Sequence, residues 1–196
     1  RLGNSMKAIV QDEYGSADVL RLEDVETPIA GRGEVLIRVI AASAFIGDWH
    51  VMTGTPYAIR LVSGLGKPKP RIRGQDVAGE IKAIGEEVTA FRPGDDVFGV
   101  GNGTFAEYAT ARADKIAPKP ANLSFEEAAT VPTTGCTALQ GIRDVGKVQS
   151  GQTVLVIGAA GGVGSFAVQI AKAFGAHVPG VCSTSKVELV RSTGAD

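Results

Sequence analysis

The chain has 196 residues, with 20 Lys+Arg against 21 Asp+Glu and a formal net charge of -1. That balance, with no single-sign block, argues against nucleic acid or an anionic membrane surface as main partner; 44% apolar and 21% charged residues read as globular, not disordered. No apolar run approaches the ~20 residues of a membrane span, no secretion signal is evident, and two cysteines, Cys136 and Cys182, are too few for a disulfide scaffold, so a cytoplasmic setting is expected.

Glycine is in excess: 26 residues, roughly twice the usual share of about 7%. They follow no period and form no low-complexity run, which removes collagen, linker and repeat readings. They stand between apolar runs, as in a β-rich or α/β domain. Residues 1–5 precede Met6 and read as a remnant of cloning. From Met6 to about residue 122 the pattern is short β-type runs: Lys7–Val10, Val35–Ile40, Ala78–Ile84 and Asp96–Val100, cut by turns such as Arg92-Pro93-Gly94-Asp95. Many short strands at this spacing predict an all-β, barrel-like unit.

After residue 122 the period changes. Ser124-Phe125-Glu126-Glu127 is a capping-box sequence opening an Ala-rich helix. Pro132 and Gly135 are read as interrupting it, with a second helix from Cys136 to Val145 stopping at Gly146. Thr153–Ile157 is a continuous apolar and β-branched run of the kind buried on both faces of a parallel sheet. A glycine-rich turn, a helix carrying Phe166, Val168, Ile170, Ala171 and Phe174, a strand over His177–Cys182 and a helix over Lys186–Thr193 follow. Strand–helix–strand–helix is the first half of a doubly wound fold, with residues 123–196 as its domain. Pro179 weakens the second strand's pairing, because proline cannot donate to a ladder.

The turn is Gly158-Ala159-Ala160-Gly161-Gly162-Val163-Gly164. It reads as a dinucleotide fingerprint, Ala159-x-Gly161-x-x-Gly164, with alanine where the first glycine often stands. Gly161 would let backbone approach a pyrophosphate, Gly164 would allow close helix–strand packing, and the helix N-terminus with Gly162 and Val163 would offer N–H groups to phosphate. A plain structural turn is the alternative. An NAD site usually has an acidic residue about 20 positions on; here stands Cys182-Ser183-Thr184-Ser185-Lys186, with no acid before Glu188. Ser183 and Lys186 suit a 2′-phosphate, so NADP(H) is the expected cofactor; otherwise Ser185 caps a helix and Lys186 is a surface residue.

Several segments together resemble a known family. Gly33–Val39, Gly74-Gln75-Asp76-Val77-Ala78-Gly79-Glu80-Ile81, Ile84–Val97, Gly103-Thr104-Phe105-Ala106-Glu107-Tyr108 and the Gly158–Gly164 loop stand in the order found in medium-chain dehydrogenase/reductases, in the branch of the zinc-independent quinone oxidoreductases. The resemblance implies α/β architecture with a β-barrel: a GroES-like β-barrel domain over residues 6–122, then a Rossmann domain that is incomplete, since such families run longer. The zinc alcohol dehydrogenases of the superfamily have His-Glu where Gln75-Asp76 stands here, and Ala44–Asp48 holds no cysteine, so no metal is expected. A carboxylate-rich site from Asp48, His50 and Asp76 is the remaining metal alternative.

Without metal, the implied chemistry is hydride transfer to a quinone, enone or other small carbonyl compound. Asp48 and Trp49 resemble the loop lining the family's cleft, although Phe45 replaces a common Asn there. Tyr57 is a candidate proton donor, or an exposed loop tyrosine. Thr137 resembles a threonine that contacts nicotinamide, or is an inner-face helix residue. Cys136 and Cys182 are expected to be buried fillers. The partners expected are a small-molecule substrate and a second copy as a homodimer, with no nucleic acid or membrane. A non-catalytic nucleotide-binding protein and an inactive fragment of the same fold are the competing readings.

Overall fold

Met6, Ala8 and Val10 alternate with Ser5 and Lys7, and the first three are buried while the last two face solvent, the period of two that a half-buried strand requires. A computed structural model of the chain, describing residues 3–196, places them in β1 (Ser5–Gln11), antiparallel to β2 (Leu20–Glu26). Thr27 donates to the carbonyls of Asn4 and Gly3, so the segment read as a cloning remnant is ordered beside β2 from Gly3 onward.

β3 (Glu34–Ser43) is followed by α1 (Ile46–Thr53) and α2 (Arg60–Ser63), then by β4 (Asp76–Ile84), β5 (Asp96–Val100), β6 (Tyr108–Arg112) and β7 (Ile116–Pro118). These strands make one antiparallel sheet in the order β6-β3-β4-β5-β7. Its apolar face carries Val35, Ile37, Val77, Ile81 and Val97, all fully buried. β3 and β4 shift register twice, between Leu36 and Ile37 and between Val39 and Ala41, and such irregularities bend a sheet toward closure. At Gly79 a Cβ would overlap the Arg38 carbonyl oxygen, so only glycine lets the two strands approach here. Bridges from Ala8 to Ala106 and from Val10 to Ile72 tie β1 to the same unit. This is the GroES-like, barrel-type architecture.

α3 (Phe125–Ala129) opens as the sequence predicts. Ser124 Oγ accepts from the Glu127 N–H at 3.1 Å, and the Glu127 carboxylate accepts from the Ser124 N–H at 2.8 Å. Ala128 and Ala129 are buried against Ala78 of β4. Because the sheet uses this helix face, the first compact unit continues to Pro132 and the second runs Thr133–Asp196, a later division than the composition change at residue 122 indicates.

α4 (Pro132–Leu139) begins at the proline and passes through Gly135, so neither residue interrupts the helix. Proline at the first helical position loses only an N–H that has no intrahelical partner. A π-helical turn, Gln140–Val145, then ends at Gly146. β8 (Val156–Ile157) and β9 (Gly180–Val181) are parallel, joined through α5 (Gly162–Ala173), and α6 (Val187–Ser192) closes the described chain. Pro179 accepts from the Val156 N–H, but its ring nitrogen returns no bond, and the ladder thins to β8–β9 and a bridge between Thr153 and His177. α5 packs Val168 and Ala171 onto Val156 and Val178. Leu155 and Ile157 are 59% and 78% exposed, so the run expected to be covered on both faces is covered on one. Among the described residues no helix is long and apolar enough to cross a membrane.

Candidate functional site

The end of β3 turns into α1 through Ala44 and Phe45, and the first turn of α1 sets the polar floor of a pocket in the first unit. Asp48 stands at the third helical position, where its Oδ2 accepts the Phe45 N–H at 3.1 Å. That use of a carboxylate on a free N-terminal donor holds the side chain inward. Gly54, at φ 65°, ends the helix with a bond to the His50 carbonyl. The pocket is about 440 Å³ and walled by Leu20, Phe45, Trp49, Met52 and Phe105. A volume in this range suits a small organic ligand.

Two charged side chains line this apolar pocket, Asp48 and Arg73, at 7% and 6% exposure. Arg73 is fixed by its backbone: its carbonyl accepts from the Phe105 N–H at 2.9 Å. The next residue, Gly74, has φ 94°, and a Cβ there would fall 2.7 Å from the Phe105 ring and overlap the Thr104 hydroxyl. Among the described residues the Arg73 guanidinium donates no hydrogen bond, and Arg73 Nε and Asp48 Oδ1 are both buried and unpartnered. Burial pushes the Asp48 carboxyl above its usual range; the Phe45 N–H and Arg73 oppose this, and the buried Asp76 carboxylate adds to it. Burial likewise lowers Arg73, opposed by the charge of Asp48. The sequence reading found Asp48 but not Arg73, because an arginine in the Lys- and Pro-rich stretch 67–73 looks like a solvated one. Its only sequence signal is its place beside the Gly74–Ile81 motif.

Tyr57 does not line this pocket. It is 74% exposed, with the Arg60 guanidinium stacked over its ring at 4.9 Å. His50 Nδ1 lies 2.7 Å from the Thr55 carbonyl. Among the described residues no three Cys, His, Asp or Glu side chains come together as a ligand set.

In the second unit, Gly158 (φ 77°) turns the chain out of β8, and Gly161, with φ -81° and ψ 167°, caps α5. The first N–H groups of α5, from Gly162, Val163 and Gly164, lack intrahelical partners. Ala159 is fully buried under the turn. At Gly164 a Cβ would overlap the Gly158 carbonyl oxygen, so glycine there is required by packing. At Gly161 the nearest atom to a Cβ is the same oxygen at 3.3 Å, and the backbone is ordinary. A Cβ at Gly161 would thus press on this one backbone oxygen, and a small shift of a few tenths of an ångström would relieve it. Ser183 and Ser185 hydroxyls lie 3.5 Å apart beyond β9, and neither makes a side-chain cap. Lys186 makes no ion pair among the described residues, while Glu188 is paired with Arg191 at 3.0 Å. Thr137 donates to the Thr133 carbonyl at 2.6 Å and is exposed, so its oxygen lone pairs remain free as acceptors. Cys136 is exposed and Cys182 half-buried, so the first is not the buried filler expected.

Residues 31–121 match the alcohol dehydrogenase GroES-like domain. Over 98% of its length the chain is 38% identical to 2-methylene-furan-3-one reductase of Solanum lycopersicum, covering 51% of that protein. It also superposes, with a TM-score of 0.87 and 35% identity, on the quinone oxidoreductase from Coxiella burnetii, covering 98% of this chain and 61% of that one. The chain is quinone oxidoreductase-like, within the medium-chain dehydrogenase/reductases. A mycobacterial protein solved in complex with NADPH is similar to this quinone oxidoreductase-like chain at 34% identity and a TM-score of 0.85, over 97% of this chain and 57% of that one. The chain spans about half the length of the first curated relative.

Proposed function

We propose that the protein to which this chain belongs is an NADP(H)-dependent oxidoreductase that transfers hydride to a quinone, enone or related small carbonyl compound without zinc. The observation that carries the proposal is the glycine turn between β8 and α5, with Gly161 as the helix N-cap and no side chain capping the first N–H groups of α5. A pyrophosphate at that turn would receive backbone N–H bonds and the favourable end of the α5 dipole. The nicotinamide, when bound, supplies the hydride. Ser183 and the unpaired Lys186 support a 2′-phosphate. The apolar pocket beside Asp48 and Trp49 would take the organic substrate and exclude water. Gln75-Asp76 in place of His-Glu, together with the scatter of Cys and His, supports the zinc-free chemistry.

Gly161→Ala tests the reading. The fold tolerates a Cβ there with a small adjustment, whereas a phosphate pressed against the turn does not. NADPH affinity measured by calorimetry should fall at least about tenfold, as for loss of one hydrogen bond to a charged group, with an unchanged circular dichroism spectrum. Unaltered affinity defeats the assigned geometry.

A further inference from the structure

The segment between α1 and β4 reverses the arrangement of an ordinary surface helix, which turns its apolar stripe inward. Here the polar side chains turn in. Ser63 is 7% exposed, and the Tyr14 hydroxyl lies 2.8 Å from Ser63 Oγ while donating to the Gly64 carbonyl at 2.5 Å. The Arg60 guanidinium is stacked between the Tyr14 and Tyr57 rings, and its Nε donates to the Gly54 carbonyl at 3.0 Å. Tyr57, Leu61, Val62 and Leu65 are left outside at 74%, 73%, 83% and 75% exposure. Gly64, at φ 120°, then folds the chain back: a Cβ there would overlap the Lys67 carbonyl oxygen, and the Lys69 N–H donates to the Ser63 carbonyl at 2.7 Å. Polar contacts thus hold an apolar tip out in water with two lysines beside it. An exposed apolar cluster rimmed by polar residues marks an interaction surface.

Charge identifies what the tip meets. The near-zero net charge of the whole chain averages over a local excess: residues 55–73 hold Arg60, Lys67, Lys69, Arg71 and Arg73 and no acidic residue. Arg60 is stacked, Arg71 is paired with Asp12 and Glu23, and Arg73 is buried. Lys67 and Lys69 stand exposed on either side of the buried Pro68 and make no ion pair among the described residues. Lysine is depleted at protein–protein interfaces, and four apolar side chains fall well short of the roughly 20–30 residues a side that a stable one uses. Apolar side chains flanked by lysines, with an amphipathic tyrosine among them, are instead what an interfacial segment presents to an anionic bilayer. We propose that segment 57–69 docks this chain on an anionic phospholipid surface. Leu61, Val62 and Leu65 enter the boundary between headgroups and acyl chains, and Lys67 and Lys69 meet lipid phosphates.

Flotation of the chain with lipid vesicles tests this. Vesicles of phosphatidylcholine and phosphatidylglycerol in equal parts should carry the chain, and pure phosphatidylcholine vesicles should bind it at least about tenfold more weakly, since each lysine near an anionic surface adds about fivefold. Added salt should erase that difference. Lys67→Gln and Lys69→Gln should each lower binding to the anionic vesicles about fivefold, and Leu61→Ser combined with Val62→Ser should lower it at least about tenfold. These side chains are exposed, so the variants should keep the circular dichroism spectrum and melting temperature of the unaltered chain. A doxyl-labelled lipid locates the contact. It should broaden the amide NMR signals of Leu61, Val62 and Leu65, and not those of Leu155 and Ile157, the exposed apolar residues of the second unit. Equal binding to both vesicles, no binding, undiminished binding by the Leu61→Ser, Val62→Ser variant, or broadening centred on the second unit overturns the proposal. So does a concentration-dependent dimer that this variant loses while neither chain binds vesicles, which assigns the tip to a second copy.

Discussion

Asp48 is a carboxylate whose surroundings work against its charge. Burial and the Asp76 carboxylate raise its pKa more than the Phe45 N–H and Arg73 lower it. For an acid raised on folding, the stabilising contribution is present below the unfolded pKa of about 3.9 and is lost as pH climbs through the folded value. Asp48→Asn keeps an oxygen for the Phe45 N–H and cannot ionise. Its melting temperature should therefore exceed that of the unaltered chain at pH 7, and the gain should shrink to nothing on acidification toward pH 4; an offset independent of pH refutes this. Lys186 is the second residue with a defined expectation. Its charge is unpaired among the described residues, and one charge-assisted hydrogen bond is worth roughly 1.5–3 kcal/mol. Lys186→Ala should weaken NADPH binding about ten- to hundredfold and leave NADH nearly unaffected, as competition binding with both cofactors reads directly. Equal losses assign Lys186 to the fold. At this scale the sequence was legible at Gly164, where the close packing expected of the turn leaves no room for a Cβ against the Gly158 carbonyl. It was not legible at Arg73, whose burial depends on Phe105 and Gly74 meeting across the barrel.

Elements were readable to the extent that local chemistry closes them. The box at Ser124 is such a case: both reciprocal bonds form, and the helix it opens delivers Ala128 and Ala129 to the sheet. Ser124→Ala removes the acceptor for the Glu127 N–H and should cost about 0.5–2 kcal/mol in denaturant unfolding of the first unit, with Ser124→Asp largely restoring it. No change on removing the hydroxyl would falsify the cap's contribution. The start of α4 was misread because proline both ends helices and begins them, and only tertiary context separates the two uses. The apolar run ending in β8 was readable as a parallel strand, but not its one-sided cover, since burial on the Leu155 and Ile157 face depends on what lies against it. Pro179 was read for its missing donor, and the thinned ladder follows from it.

At the scale of the whole molecule the two units hold separate cores. Val35, Ile37, Val77, Ile81 and Val97 belong to the first, while Val156, Ala159, Val168, Ala171 and Val178 belong to the second, with no member shared. The first rests on a five-stranded sheet; the second pairs two strands of two residues each. Two-stranded sheets are marginal alone, so the second unit should open first on heating. The reporters divide in the same way. Trp49, the single tryptophan, lies in the first unit, whereas far-ultraviolet circular dichroism also sees α5 and α6 in the second. Heating should give an early transition by circular dichroism that Trp49 fluorescence does not follow. A ligand that binds only the folded second unit stabilises it by about 2.7 kcal/mol at a hundred times its Kd. NADPH should therefore raise the early transition and leave the Trp49 transition in place, and Gly161→Ala, binding at least about tenfold more weakly, should cut that rise to about half or less. A single transition, seen alike by both probes and moved as one by NADPH, would show that the chain unfolds as one cooperative body and that nucleotide binding is felt throughout it.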